Sequence, residues 1–135
     1  MADGLAALLA EVKFDARGLI PAIAQQYDSA EVLTLAWMNR DALAATLDSG
    51  GVTYWSRARQ RLWRKGETSG QTQRLVELRL DCDGDAILLL VDQTGVACHT
   101  GRRSCFFRAV RDGGLVTIAE PLTVPEKLYP GGAAP

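Results

Sequence analysis

The chain has 135 residues, of which 47% are hydrophobic, and its formal net charge is -1. This length suits a single domain over 1–135, and the near-zero charge excludes a general attraction to nucleic acid or to an anionic membrane. No apolar run approaches the roughly 20 residues that cross a bilayer, and the start lacks the basic segment of a secretory signal, so we expect a cytoplasmic protein.

The first third of the sequence predicts a helix, a β-hairpin and a second helix. Apolar residues at helical spacing indicate an amphipathic helix over about residues 1–13. Two β-prone runs at 20–27 and 32–38 flank a short polar segment, which predicts a hairpin. We expect Asn39 to cap the second helix and the glycine pair at 50–51 to end it.

A predicted strand over 52–56 leads into a strongly basic segment. Residues 57–65 hold five cations, although the chain as a whole is almost neutral. Arg and Lys side chains bind phosphate, Trp55 and Trp63 offer ring faces for stacking, and the polar loop 66–70 offers backbone N–H groups and hydroxyls. A solvated basic hairpin is the alternative. The segment favours phosphate recognition, on a small molecule or on RNA.

From residue 74 the sequence alternates between apolar and charged side chains, as in a strand with one buried face. Apolar residues take the even positions up to Cys82, and charged residues take the odd ones, with Leu75 as the exception. If the strand continues through 81–85, Cys82 points away from the three aspartates of that segment. Carboxylates suit Mg²⁺ or Ca²⁺ and thiolate suits Zn²⁺, so two segregated metal sites are predicted.

The three aspartates are also spaced as at the start of an EF-hand calcium loop. That loop needs Gly at its sixth position and Glu at its twelfth, where this sequence has Ala86 and Asp92. Residues 86–91 are instead an apolar run that predicts a buried strand. The EF-hand is excluded. A solvated acidic turn remains the alternative to a magnesium site, although repulsion among three carboxylates favours a bound divalent cation.

The chain has three cysteines, Cys82, Cys98 and Cys105. An odd number leaves one thiol outside any disulfide scheme, which fits a reducing compartment. Cys98 and Cys105 flank a glycine-containing bend, and three thiolates on one zinc leave a place for water, as in catalytic sites. His99 is a candidate fourth ligand or a general acid or base. Buried, inert cysteines and a structural histidine are the alternatives.

The rest of the chain predicts two more short strands, at 106–110 and 115–118, followed by a flexible tail over about 126–135. Short strands therefore outnumber the two or three short helices that the sequence predicts. This favours an α+β fold in which most of the sheet is antiparallel.

Five segments carry a resemblance to a known family. They are residues 35–43 (LAWMNRDAL), 54–59 (YWSRAR), 62–70 (LWRKGETSG), 81–85 (DCDGD) and 98–105 (CHTGRRSC). Together and in this order they resemble phosphoribosyl-AMP cyclohydrolase, which opens the adenine ring in histidine biosynthesis. The resemblance covers roughly residues 14–108. The sequence departs from the family pattern at Ala58 and Gln71, where the family usually has Ser and Asn.

The resemblance implies two metals. The implied magnesium ligands are Asp81, Asp83 and Asp85. The implied zinc ligands are Cys82, Cys98 and Cys105. The family is a homodimer in which the cysteine at the Cys82 position reaches the zinc held by the other chain, so the resemblance also implies an intertwined homodimer. The residues alone leave open whether Cys82 serves its own chain or a neighbour.

The implied reaction is hydrolytic opening of the N1–C6 bond of 1-(5-phosphoribosyl)-AMP, giving the formimino-AICAR ribonucleotide (ProFAR). Zinc-activated water would attack C6, and we expect His99 to move protons. The predicted substrate-binding residues are Trp55, Ser56, Arg57, Arg59, Lys65, Thr68 and Ser69. Some relatives add a pyrophosphohydrolase domain, an activity that we expect on another chain here.

Two other functions were compared with this prediction. A zinc-dependent base deaminase needs His-x-Glu and Pro-Cys-x-x-Cys, and neither string occurs in the sequence. A zinc-stabilised RNA-binding module would use the basic segment and the tryptophans, but it leaves the three aspartates unexplained. We therefore expect a small-molecule substrate, with neither nucleic acid nor membrane as a partner.

Overall fold

The structure, a computed structural model, describes residues 2–129 as three helices and eight strands. The helices are α1 (Ala2–Glu11), α2 (Arg40–Ser49) and α3 (Pro125–Leu128). The strands are β1 (Ile20–Gln26), β2 (Val32–Met38), β3 (Thr53–Ser56), β4 (Arg61–Arg64), β5 (Gln73–Leu80), β6 (Ile87–Gln93), β7 (Arg108–Arg111) and β8 (Gly114–Thr117). The predicted α+β class is confirmed. No helix in this described range is long and apolar enough to span a membrane.

The main sheet has the strand order β2-β1-β6-β5. The outer pairs, β1 with β2 and β5 with β6, are antiparallel, as the sequence predicts, whereas the two central strands β1 and β6 run parallel. Alternate side chains of both central strands are buried, among them Ala22, Ala24, Leu89 and Val91. Helices α1 and α2 pack against each other, and apolar side chains of both belong to the same core. The candidate site lies at the ends of strands whose side chains pack in this core.

Helix α2 begins and ends where the sequence predicts. The Asn39 side chain accepts a hydrogen bond from the Ala42 N–H at 2.8 Å, and Gly50 ends the helix with a φ of 77°. Thr46, on the buried face, exchanges hydrogen bonds of 2.9 and 3.2 Å with the backbone of Thr53. Because Thr53 is the first residue of β3, the helix sets the position of that strand.

Strand β5 departs from the predicted alternation at one point. Leu75 pairs with Val91 and Glu77 pairs with Leu90, so Val76 is an extra residue in a β-bulge and is 44% exposed. Before the bulge the odd-numbered side chains of β5 face the core, and after it the even-numbered ones do. This explains why Leu75, the exception in the sequence pattern, packs on the core.

The predicted extension of β5 through residues 81–85 is wrong. The ladder with β6 ends at the pair Leu80 and Ile87, and residues 81–85 turn the chain between the two strands. Within this turn Cys82 is exposed on the same side as Asp81 and Asp83, rather than buried on an opposite face. A turn has no two-residue periodicity, so the alternation stops where the pairing stops.

Two further hairpins extend from the main sheet. The basic segment contributes β4, which pairs with β3, and the predicted strands near the C-terminus form the hairpin of β7 and β8. After it, the short helix α3 contains the start of the tail predicted at about residue 126. Leu128 and Tyr129 are buried against Val96. The remainder of that predicted tail, 130–135, lies outside the described residues.

Candidate active site

The loop after β6 brings Cys98 and Cys105 together. The backbone N–H of Cys98 donates to Arg102 O at 3.1 Å, and Gly101, with a φ of 87°, returns an N–H to Cys98 O at 3.0 Å. The N–H of Cys105 donates to Leu33 O at 2.7 Å, which attaches the end of the loop to β2. The two cysteines are therefore held by backbone hydrogen bonds at both ends of a closed bend.

The two thiols have different ionisation behaviour because they interact. The Cys105 thiol donates to the Cys98 sulfur, and this hydrogen bond, supported by one from the Thr100 hydroxyl at 3.0 Å, lowers the pKa of Cys98 to about 5. The same contact and burial raise the pKa of Cys105. A thiolate with an adjacent thiol is the donor set that a soft metal such as zinc requires, so these residues fit the metal that the sequence predicts.

Lys65 lies beside this pair. Its side chain is almost completely buried, with 4% exposure, and its Nζ donates a hydrogen bond to Ala97 O at 2.9 Å. Burial lowers the pKa of Lys65, and the charges of the Cys105 and Cys98 thiols act in the opposite direction. The sequence predicts this residue as a contact for substrate phosphate, and the structure places its side chain in the interior next to the cysteine pair.

Other predicted residues surround the cysteine pair. His99 lies in the bend next to Cys98 and is exposed. In the loop 66–70, Thr68 is exposed and Ser69 is half-buried against the Tyr129 hydroxyl. Burial raises the pKa of Tyr129, and the charges of both cysteines of the bend contribute to that rise. Sequence reasoning missed Tyr129, since a single tyrosine far along the chain carries no local signal.

The predicted stacking and phosphate residues line a cleft next to β2 and β3. The cleft has a volume of about 580 Å³, and Trp55, Ser56 and Arg57 are part of its wall. The Arg57 guanidinium lies 4.7 Å from the centre of the Trp37 ring, a cation–π contact. A neighbouring cleft of about 420 Å³ is shared by Arg57 and Arg17. Trp37 and Arg17 were not predicted from sequence, because tertiary packing alone brings them to the cleft.

Arg59 occupies the turn between β3 and β4. It is exposed, and its backbone N–H donates to the Ser56 hydroxyl at 3.2 Å. The turn thus carries two exposed arginines, of which Arg57 lines the larger cleft and Arg59 lies two residues further along the chain.

The acidic turn forms a second group of possible metal ligands. Donor atoms of Asp81, Cys82 and Asp83 lie within 4.8 Å of one another. Asp85 donates its backbone N–H to Asp81 Oδ1 at 3.0 Å. A side-chain hydrogen bond with Asp81 and the charge of Asp81 raise the pKa of the Asp85 carboxyl. Clustered carboxylate oxygens fit Mg²⁺. The turn therefore fits a hard cation and presents one thiol at the same surface.

The acidic turn and the cysteine pair lie at opposite ends of β6. The turn precedes Ile87, whereas the cysteine loop follows Gln93 and is tied to β2 and to Lys65 at that end. A strand of seven residues is about 20 Å long at its usual rise. Within one chain, Cys82 is therefore far from Cys98 and Cys105.

Comparison with known proteins assigns the family. The sequence profile described as phosphoribosyl-AMP cyclohydrolase matches residues 34–107. A phosphoribosyl-AMP cyclohydrolase of Rhodospirillum centenum is 67% identical over 95% of this chain and 96% of its own length. The chain belongs to the phosphoribosyl-AMP cyclohydrolase family. The resemblance seen in the sequence is confirmed.

Two further members of the phosphoribosyl-AMP cyclohydrolase family are nearly as similar. The protein of Rhodospirillum rubrum is 67% identical over 92% of this chain and 87% of its own length. That of Granulibacter bethesdensis is 64% identical, with 87% and 93% covered. The profile match runs from β2 through Cys105, so it includes the tryptophan cleft, the loop 66–70, the acidic turn and the cysteine pair.

Proposed function

We propose that this chain opens the adenine ring of 1-(5-phosphoribosyl)-AMP by hydrolysis at the N1–C6 bond, giving ProFAR in histidine biosynthesis in the cytoplasm. The observation that carries the proposal is the Cys98–Cys105 pair, preformed by backbone hydrogen bonds and holding one thiol of low pKa. Zinc bound by these thiols supplies the Lewis acidity that activates a water molecule for attack at C6.

Residues around the cysteine pair take the remaining roles. His99, exposed beside Cys98, accepts the proton of the attacking water and returns one to the departing nitrogen. Thr68 and Ser69 contact the substrate from the neighbouring loop. The ring faces of the cleft, Trp55 and Trp37, suit the adenine, since stacking on indole tolerates a planar base.

Substrate phosphates are the second recognition element. Arg57, in the cleft wall, and Arg59, in the same turn, are both exposed and offer the planar donors that bind phosphate oxygens in pairs. Asp81, Asp83 and Asp85 would hold magnesium, which would offset the charge of those carboxylates. Together these groups would orient the N1-substituted adenine toward the cysteine pair.

We also propose that the working unit is an intertwined homodimer. Because Cys82 is about the length of β6 away from the cysteine pair of its own chain, it would complete the zinc site of a second copy. The hairpin of β7 and β8 supports such a contact. Val110 and Leu115 on it are 81% and 62% exposed, which is an unusual exposure for paired apolar strands.

The proposal is tested by following ring opening of phosphoribosyl-AMP by ultraviolet absorbance. Metal is first stripped from the protein, and Zn²⁺ and Mg²⁺ are then restored separately and together. We expect turnover only when both ions are present, and none with Cys98→Ala under any condition. Full recovery with Mg²⁺ alone would overturn the role of zinc. Absence of turnover in the untreated protein would overturn the function itself.

A further inference from the structure

Lys65 is a buried cation that has no carboxylate partner among the described residues. Its side chain is 4% exposed, and none of the ion pairs within residues 4–129 includes it. An ammonium withdrawn from water is costly unless other charges or hydrogen bonds compensate it. The Lys65 Nζ donates to Ala97 O at 2.9 Å and lies 5.3 Å from the centre of the Trp63 ring. These contacts orient the ammonium without neutralising it.

The compensating charge belongs to the cysteine pair. The Lys65 Nζ binds the carbonyl of the residue before Cys98, and the side chain lies close enough to Cys105 and Cys98 for the charges of their sulfurs to act on the ammonium. Formally, Zn²⁺ with three thiolates carries a net charge of -1, and a buried excess of charge is unfavourable. One adjacent ammonium brings the sum to zero. Lys65 is thus placed where a thiolate-rich metal site needs a cation.

The hydrogen bond of Lys65 has a second effect. Its acceptor, Ala97 O, belongs to the peptide group that links Ala97 to Cys98. The N–H groups of both residues are already bonded across the bend, to Arg103 O and Arg102 O. The ammonium therefore binds Ala97 O, the remaining polar atom of the Ala97–Cys98 peptide group. This contact holds the backbone next to the Cys98 side chain.

We propose that Lys65 is a positioning residue of the metal site: it holds the backbone at Cys98 and offsets the charge of the zinc-bound cysteines, in place of the phosphate contact that its sequence context suggests. The inference rests on the proposed function, because it takes Cys98 and Cys105 as zinc ligands. Mutation of a residue that contacts a metal ligand typically lowers metal affinity by about 10- to 100-fold.

The test measures the zinc dissociation constant of the intact protein by competition with a chromophoric chelator. Lys65→Met roughly keeps the length of the side chain but removes both charge and donor, whereas Lys65→Gln removes the charge and keeps a donor on a side chain one atom shorter. We expect both variants to bind zinc about 10- to 100-fold more weakly, and Lys65→Arg, which restores the charge, to recover much of the loss. Lys127→Met, at an exposed lysine of α3, is the matched control and should bind zinc as the wild type does.

Circular dichroism of the zinc-free variants shows whether each one folds. If Lys65→Met does not fold, the comparison of Lys65→Gln with Lys65→Arg decides. Wild-type zinc affinity in Lys65→Gln, or equal losses in Lys65→Gln and Lys65→Arg, would overturn the proposed charge role. Cys98→Ala separates this inference from the proposed function: if it binds zinc as tightly as the wild type does, the zinc site itself is wrong, whatever Lys65 does.

Discussion

At the scale of single residues, the cysteine pair shows how one hydrogen bond makes two identical side chains chemically different. Cys105 donates and Cys98 accepts, so the pKa of Cys98 falls to about 5 while the pKa of Cys105 rises. Since the Cys98 pKa is lower in the folded than in the unfolded chain, its ionisation stabilises the fold. That contribution is complete above the unfolded pKa and is lost as the pH falls through about 5.

Removal of the donor should reverse this effect. In zinc-free Cys105→Ala we expect the pKa of Cys98 to rise from about 5 toward its usual range, because the largest cause of the shift is gone. The ultraviolet absorbance of the thiolate, followed during a pH titration, measures it. Cys82→Ala is the control and should keep the low pKa of Cys98, since the hydrogen bond from Cys105 is intact in this variant. An unchanged step in Cys105→Ala would contradict the assignment.

The sequence identifies some of these residues and not others, for a physical reason. Cys98, Cys105 and His99 lie in one short motif, so their proximity follows from the chain itself. Lys65 and Tyr129 reach the same place from distant parts of the chain, and only packing decides that Lys65 points inward. Without the fold, the whole basic segment 57–65 is predicted to contact phosphate.

At the scale of secondary-structure elements, the acidic turn depends on a contact with the end of α1. Gly84 has a φ of 75°, its backbone carbonyl accepts a hydrogen bond from the Lys13 N–H at 2.7 Å, and a Cβ built on it would lie 2.5 Å from Glu11 O. No side chain fits there without displacing the backbone. The close approach of the end of α1 therefore requires a glycine at position 84. This contact fixes the backbone of the turn that carries the carboxylates.

Gly84→Ala tests this contact. We expect it to lower the free energy of unfolding by about 1 kcal/mol or more beyond the loss in Gly18→Ala, which has a similar φ of 78° but open space around its Cβ. Urea denaturation followed by tryptophan fluorescence gives both values. Equal losses would mean that backbone strain alone matters. The variant should also need more Mg²⁺ for full activity, since the turn must shift.

Local signals explain which elements were predictable. Helix α2 carries its own cap at Asn39 and its own stop at Gly50, and the β1–β2 hairpin has a polar turn between apolar runs. The bulge at Val76 and the end of the ladder at Leu80 depend on the register with β6, which no local pattern reveals. The alternation in the sequence therefore continues through Cys82, beyond the residue at which strand pairing ends.

At the scale of the whole molecule, the separation of Cys82 from the other two cysteines means that one chain does not bring all three thiols to one place. If the proposed sharing holds, a mixture of two inactive variants, Cys82→Ala and Cys98→Ala, should regain activity when the chains are allowed to exchange. Each mixed dimer then has one complete site, so random pairing restores about a quarter of wild-type activity.

The matched control combines Cys98→Ala with Cys105→Ala. These variants damage the same half of the site, so mixing should restore nothing. Activity of the first mixture is measured by the ultraviolet assay, and chain exchange is checked with a mass-labelled protomer. If exchange occurs and the first mixture stays inactive, Cys82 does not act across the dimer.

The parallel pairing of β1 with β6 also has a consequence for how the chain reaches its fold during synthesis. Strand β1 ends at Gln26 and β6 begins at Ile87, so the central pair of the sheet joins segments that are far apart in sequence. Contacts of this kind pay a large loop-closure cost and form late. During synthesis, the β1–β2 hairpin and α2 leave the ribosome well before β6, the strand that pairs with β1. The cysteine bend follows β6 directly, so we expect Cys98 and Cys105 to come together only after the core has closed.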